Sequence, residues 1–214
     1  AMLLAGGGKV TANTAGGGAA GQVSVSAGSL TITGRDADGF PSGISGRALP
    51  GSSGRPGSLA IDVAGTFELR DGGILNIANE ARVADPSVVA PATLSVRAGE
   101  LAVSDAAIVA ASSENVDAGA IAITTVGTLR LTRAAISTSA LDGDGGPITI
   151  AAGGPVIVKD SGITTSVTGS TNGNGGDITI SGPALVLASG FVLANTAAPQ
   201  ASGGNVSVAV GLLV

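Results

Sequence analysis

Residues Thr171 to Thr196 read TNGNGGDITISGPALVLASGFVLANT. A glycine-rich turn leads into Asp-Ile-Thr-Ile, a second short apolar stretch follows, and a Phe-Val-Leu step closes the unit. Two upstream segments keep the same order: DGDGGPITIAAGGPVIVKDSGITTS from Asp142 and DAGAIAITTVGTLRLTRAAISTS from Asp117. A unit whose order is kept while its residues change points to stacked repeats, because each unit can bury its apolar face only against its neighbours.

The alternating triplet after each glycine-rich turn serves as reference. It falls at Val23–Val25, Leu59–Ile61, Leu94–Val96, Ile121–Ile123, Ile148–Ile150, Ile178–Ile180 and Val206–Val208, so successive first positions differ by 36, 35, 27, 27, 30 and 28 residues. A second alternating pair follows each of the first six, at Leu30/Ile32, Phe67/Leu69, Leu101/Val103, Leu129/Leu131, Val156/Val158 and Leu185/Leu187. Five residues beyond that pair stands a third aliphatic residue, at Ile74, Ile108, Ile136, Ile163 and Val192, while Ile44 follows Ile32 by twelve. Each repeat thus supplies three short period-2 strands separated by Gly, Asp, Asn and Ser turns. The expected fold is all-β: a parallel β-helix with three strands per coil of about 27 to 30 residues and roughly seven coils. At about 4.8 Å per coil the rod is on the order of 35 Å long. A β-sandwich also has many short strands, but it does not repeat three strand types in fixed order.

Composition agrees with a thin aliphatic core. The chain has 214 residues, 44% apolar but 1% aromatic, with three Phe and neither Trp nor Tyr. That apolar content is too high for intrinsic disorder, and the 36 glycines do not recur every third residue as collagen requires. No apolar run approaches the roughly 20 residues of a membrane helix. The formal charge is -5, with basic residues dispersed from Lys9 to Lys159, which argues against a nucleic-acid partner.

Residues 1–214 read as a single β-helix segment. MLLAGGGKVTANT at Met2 to Thr14 matches LVLASGFVLANT at Leu185 to Thr196, so the chain opens and closes partway round a coil. Apolar ends without polar caps predict a piece of a longer rod, or end-to-end self-association. Two long repeats locate insertions, at 34–57 (GRDADGFPSGISGRALPGSSGRPG) and 78–92 (ANEARVADPSVVAPA). Insertions in solenoids often form loops on a binding face. In the first, Arg35, Asp36, Asp38 and Phe40 form a candidate ligand-contact loop for a sugar or a protein. Two residues after each second strand, Asp71, Asp105, Arg133, Asp160 and Ser189 should stack as a column, with Arg133 between two acids.

Catalytic chemistry is poorly supported. Without His, Cys or Tyr, a serine triad, a zinc site and a tyrosine nucleophile are excluded. Glycosidase chemistry needs two convergent carboxylates, and the acids here are dispersed. LDGDGG (Leu141 to Gly146) and NGNGGD (Asn172 to Asp177) are faintly like a calcium nonapeptide, with Asp142, Asp144 and Asp177 as candidate ligands. Their register and tandem spacing do not fit, and ordinary tight turns explain them. No enzyme activity and no cofactor is expected.

The repeats GNGGDITISGPALVLASGFVLANTAAPQASGGNVSV and AGSLTITGRDADGFPSGISG resemble the carboxy-terminal β-helical repeats of filamentous-haemagglutinin-like exoproteins of two-partner secretion systems. The resemblance implies a right-handed helix, export through an outer-membrane transporter partner, and an extracellular or cell-surface rod used in adhesion or cell contact. It implies a glycan or protein receptor without assigning residues to it. The leading expectation is a stalk or adhesin segment. The alternatives are a carbohydrate-binding or polysaccharide-cleaving β-helix and a self-assembling extracellular filament subunit.

Overall fold

The computed structural model describes residues 1–112, 115–169 and 173–214. The strands are wound into one parallel β-solenoid of about seven turns, with one 3₁₀ turn, at Pro86–Val88, among the described residues. The seven reference triplets lie side by side, as Val23, Leu59, Leu94, Ile121, Ile148, Ile178 and Val206 are successive register partners. The second strands form a matching column, Met2–Leu30–Phe67–Leu101–Leu129–Val156–Leu185. The third strands form a separate 7-stranded sheet. Alternation then decides the core: one side chain in two points inward and meets its equivalents above and below.

First and second strands are less separate than the sequence suggests. In four coils they run on as single strands, Leu59–Arg70, Thr93–Ser104, Ile178–Ala188 and Val206–Leu213, so that first and second strands share one 11-stranded sheet. A register shift between Val63 and Thr66 bends the first of these round the corner. A bend of this kind keeps most backbone groups paired where a loop would release them.

One expected core position is corrected. Ile44, Ile108, Ile136 and Ile163 share a column with Leu75, not with Ile74. Leu75 is fully buried, while Ile74 faces outward and is half-buried. The preceding corner contains Asp71 and Gly72 in succession at φ of 53° and 82°. Later coils turn that corner with one left-handed residue, so the extra glycine advances the strand by one position and exchanges its two faces.

Stretch 34–57 is not a single loop, since Gly43–Ala48 within it is a third strand paired on both sides. Residues 35–41 precede that strand as an excursion. In stretch 78–92 the strand Ile74–Asn79 ends before the excursion begins at Glu80. Asn115 ties this second excursion down, its Nδ2 donating to the Val83 carbonyl at 2.7 Å and its Oδ1 accepting from the Val83 amide at 3.3 Å.

The residue two positions before each triplet forms a further column: Gly21, Gly57, Ala92, Gly119, Gly146, Gly176 and Gly204. None of the column's glycines has a left-handed φ. At Gly57, Gly119, Gly146, Gly176 and Gly204 the reason for glycine is contact: a Cβ on Gly146 would lie 1.9 Å from the Gly119 carbonyl oxygen, and one on Gly204 would lie 2.0 Å from that of Gly176, whereas Gly21 has nothing within 4 Å. The Thr138 and Thr165 hydroxyls, both fully buried, donate to the Gly146 and Gly176 carbonyls and satisfy them inside the corner.

Candidate functional site

The excursion after the second strand of the first full coil is a small, internally bonded loop. Arg35 and Pro41 form an antiparallel bridge at its base. Asp36 Oδ1 accepts the amides of Asp38 at 3.1 Å and Phe40 at 2.8 Å, while the Asp36 amide donates to the Phe40 carbonyl at 3.0 Å. Arg35 Nη1 donates to the Gly39 carbonyl at 2.9 Å, and its guanidinium lies over Gly72 of the next coil, where a Cβ would come within 2.6 Å of Nε. Two of the four candidate contact residues therefore shape the loop. Asp38 stands at its exposed tip. Phe40 is the residue the loop presents, 57% exposed.

Phe40 leans over the outward face of the 7-stranded sheet and walls a groove of about 400 Å³. Its floor comes from three coils: Thr11 and Asn13, then Ser45 and Arg47, then Asn76. The Lys9 ammonium sits 4.7 Å from the Phe40 ring centroid, a cation–π contact. Asn13 Oδ1 accepts the Arg47 amide at 3.2 Å, and the Arg47 guanidinium pairs with Glu80. Two atoms at the floor, Arg47 Nε and Asn76 Oδ1, have no hydrogen-bond partner among the described residues. Lys9, Asn13, Arg47 and Asn76 did not emerge from the sequence as a group. The signal that finds them is strand phase, since they share the outward phase of three aligned third strands.

The expected charge column exists and is a backbone feature first. Asp71, Asp105, Arg133, Asp160 and Ser189 are the five non-glycine residues with positive φ, between 46° and 53° among the described residues, and Gly6 and Gly34 continue the column at 57° and 77°. Arg133 grips the Asp105 carboxylate in bidentate fashion, Nε to Oδ1 and Nη2 to Oδ2 both at 2.7 Å. That hydrogen bonding holds Asp105 below the usual carboxylate range and raises Arg133 further, with Asp160 adding a smaller attraction to Arg133. Asp71 instead accepts from Arg70 at 2.6 Å and from the Thr33 hydroxyl at 2.9 Å. The column registers coils and neutralises charge in local pairs, and Arg133, Asp160 and Ser189 line an open groove together with Phe191.

Two of the three calcium candidates, Asp144 and Asp177, serve stacking. Asp117 Oδ1 accepts the Asp144 amide at 2.8 Å, Asp144 Oδ1 accepts the Asn174 amide at 2.8 Å, and Asn174 Oδ1 accepts the Ser202 amide at 3.1 Å. Asp177 Oδ1 takes both the amide and the side-chain nitrogen of Asn205, at 2.7 and 3.1 Å. Among the described residues no group of three or more potential metal ligands gathers. Thr171 and Asn172, at the head of the NGNGGD turn, lie outside the described residues.

Compared with known proteins, the chain matches no family model, no curated protein and no solved structure.

Proposed function

We propose that the chain is a non-catalytic rod segment, a stalk or adhesin portion, of a bacterial surface exoprotein of the filamentous-haemagglutinin-like kind, exported by a two-partner route through an outer-membrane transporter. The observation that carries this reading is the unbroken register of the inward columns, in which each coil finds its partners in the coils beside it. Solenoids of nearest-neighbour contacts can add one coil at a time. Such folding suits a chain that emerges end first from a pore and finds no ATP outside. The absence of Cys and the 12% charged content fit passage as an unfolded strand.

Immunogold labelling of the intact source cells, using antibody to this chain, tests the proposal. Gold on the outer surface, abolished by deletion of the transporter, is the expected result. Label confined to the cell interior overturns it.

A further inference from the structure

We propose that the groove beside Phe40 binds a sugar unit carrying a carboxylate, a uronic-acid residue of an acidic glycan. The groove's volume of about 400 Å³ falls within the range of small-molecule sites. Of the three phenylalanines, Phe67 is fully buried in the core and Phe191 is 52% exposed on the far edge strand of the sheet, whereas Phe40 is 57% exposed on a loop whose Asp36 and Arg35 are spent on holding it in place. An exposed aromatic fixed over a polar floor offers a flat face to the C–H side of a pyranose ring. The Asn13 and Asn76 amides and the Ser45 hydroxyl lie on adjacent strands about 4.8 Å apart, so each can serve a different polar group of a sugar. Rotation of the Asn76 amide would give its unpartnered Oδ1 a sugar hydroxyl to accept from.

Charge selects the acidic class. The chain carries a formal charge of -5, yet among the described residues the charged side chains lining this groove are Lys9 and Arg47 alone. Arg47 is already paired with Glu80, but among the described residues Lys9 has no carboxylate within ion-pair distance and rests against a ring. An exposed cation–π contact is weaker than a charge-assisted hydrogen bond, so the ammonium gains by turning to an incoming carboxylate.

The test is a titration of the chain with trigalacturonate and with neutral galactotriose, followed through backbone amide shifts. Trigalacturonate should move the amides of Thr11, Ser45 and Asn76 saturably at millimolar concentration. Phe40→Ala and Lys9→Gln should each weaken binding about tenfold or more, while Phe191→Ala, on the same sheet at its far edge, should leave it unchanged. Absence of a saturable shift, or undiminished binding by Phe40→Ala, overturns the site. Equal affinity for galactotriose, or undiminished binding by Lys9→Gln, overturns the choice of acidic ligand. The inference rests on the groove and not on the export route, so its failure leaves the rod proposal to the surface-labelling experiment.

Discussion

Two corners of the coil share a taste for glycine and differ in why. After the second strand, Gly34 sits at φ of 77° with nothing nearer to an added Cβ than the Gly6 nitrogen at 3.9 Å. Its counterparts Asp71, Asp105, Arg133, Asp160 and Ser189 adopt the same left-handed turn with side chains in place. Before the first strand, Gly146 has no left-handed φ, but its missing Cβ would collide with the Gly119 carbonyl at 1.9 Å. At Gly34 the corner selects for backbone conformation and leaves space. The other selects for closeness and leaves none. In a solenoid a steric constraint of the second kind repeats with the coil, because each glycine's own backbone becomes the wall for the next.

The largest expected effect separates these mechanisms. Gly146→Ala should cost about 3 kcal/mol, at the upper end of overpacking penalties, and Gly146→Asn should be no better, as measured by denaturant unfolding. If Gly146→Asn were tolerated, conformation and not contact would govern that corner. Thr165→Val removes the hydroxyl that serves the Gly176 carbonyl inside the same corner. Leaving that acceptor unpaired should cost about 1–3 kcal/mol, with amides around Gly176 losing hydrogen-exchange protection.

At the open corner the effects shrink. Gly34→Ala should cost about 1–2 kcal/mol, the penalty for a side chain in the left-handed region, whereas Gly34→Asn should recover much of it because Asn visits that region more readily. Equal losses for Ala and Asn would reveal a steric limit there too. The smallest effect concerns the exposed pair. Arg133 lowers the Asp105 carboxyl below its ordinary 3.8, so the pair's contribution is present above that value and fades as pH falls through the lower folded-state value. Arg133→Ala should therefore raise the Asp105 titration midpoint, read by carboxyl-carbon chemical shift, with little change in unfolding at neutral pH. An unmoved midpoint would show that the bidentate pair does not persist in solution.

How much was legible in the sequence differs from element to element. Alternation at Ile121/Ile123, Ile148/Ile150 and Ile178/Ile180 announced both the strands and their stacking, since identical spacing leaves few registers that bury every aliphatic side chain. The charge column was legible as a column because it follows the second strand at constant distance. Its left-handed backbone was not, as neither Arg133 nor Ser189 is a residue that favours such a turn. The choice of Leu75 over Ile74 was hidden for a related reason: Ile74 and Leu75 are both apolar, and only the two-residue turn at Asp71–Gly72 shows which of them faces inward. At the groove, Phe40 stood out as a rare aromatic in a long insertion. Its neighbours Lys9, Asn13, Arg47 and Asn76 are ordinary polar residues until three coils are laid side by side.

The amino-acid sequence by itself determined the parallel solenoid, its repeat and most of its inward columns, because apolar periodicity is a local property that survives without knowledge of partners. Tertiary structure alone decided which glycines are demanded by contact, which acids stack turns, and which residues share a groove. Those outcomes depend on distances between coils some 30 residues apart, which a linear pattern does not contain.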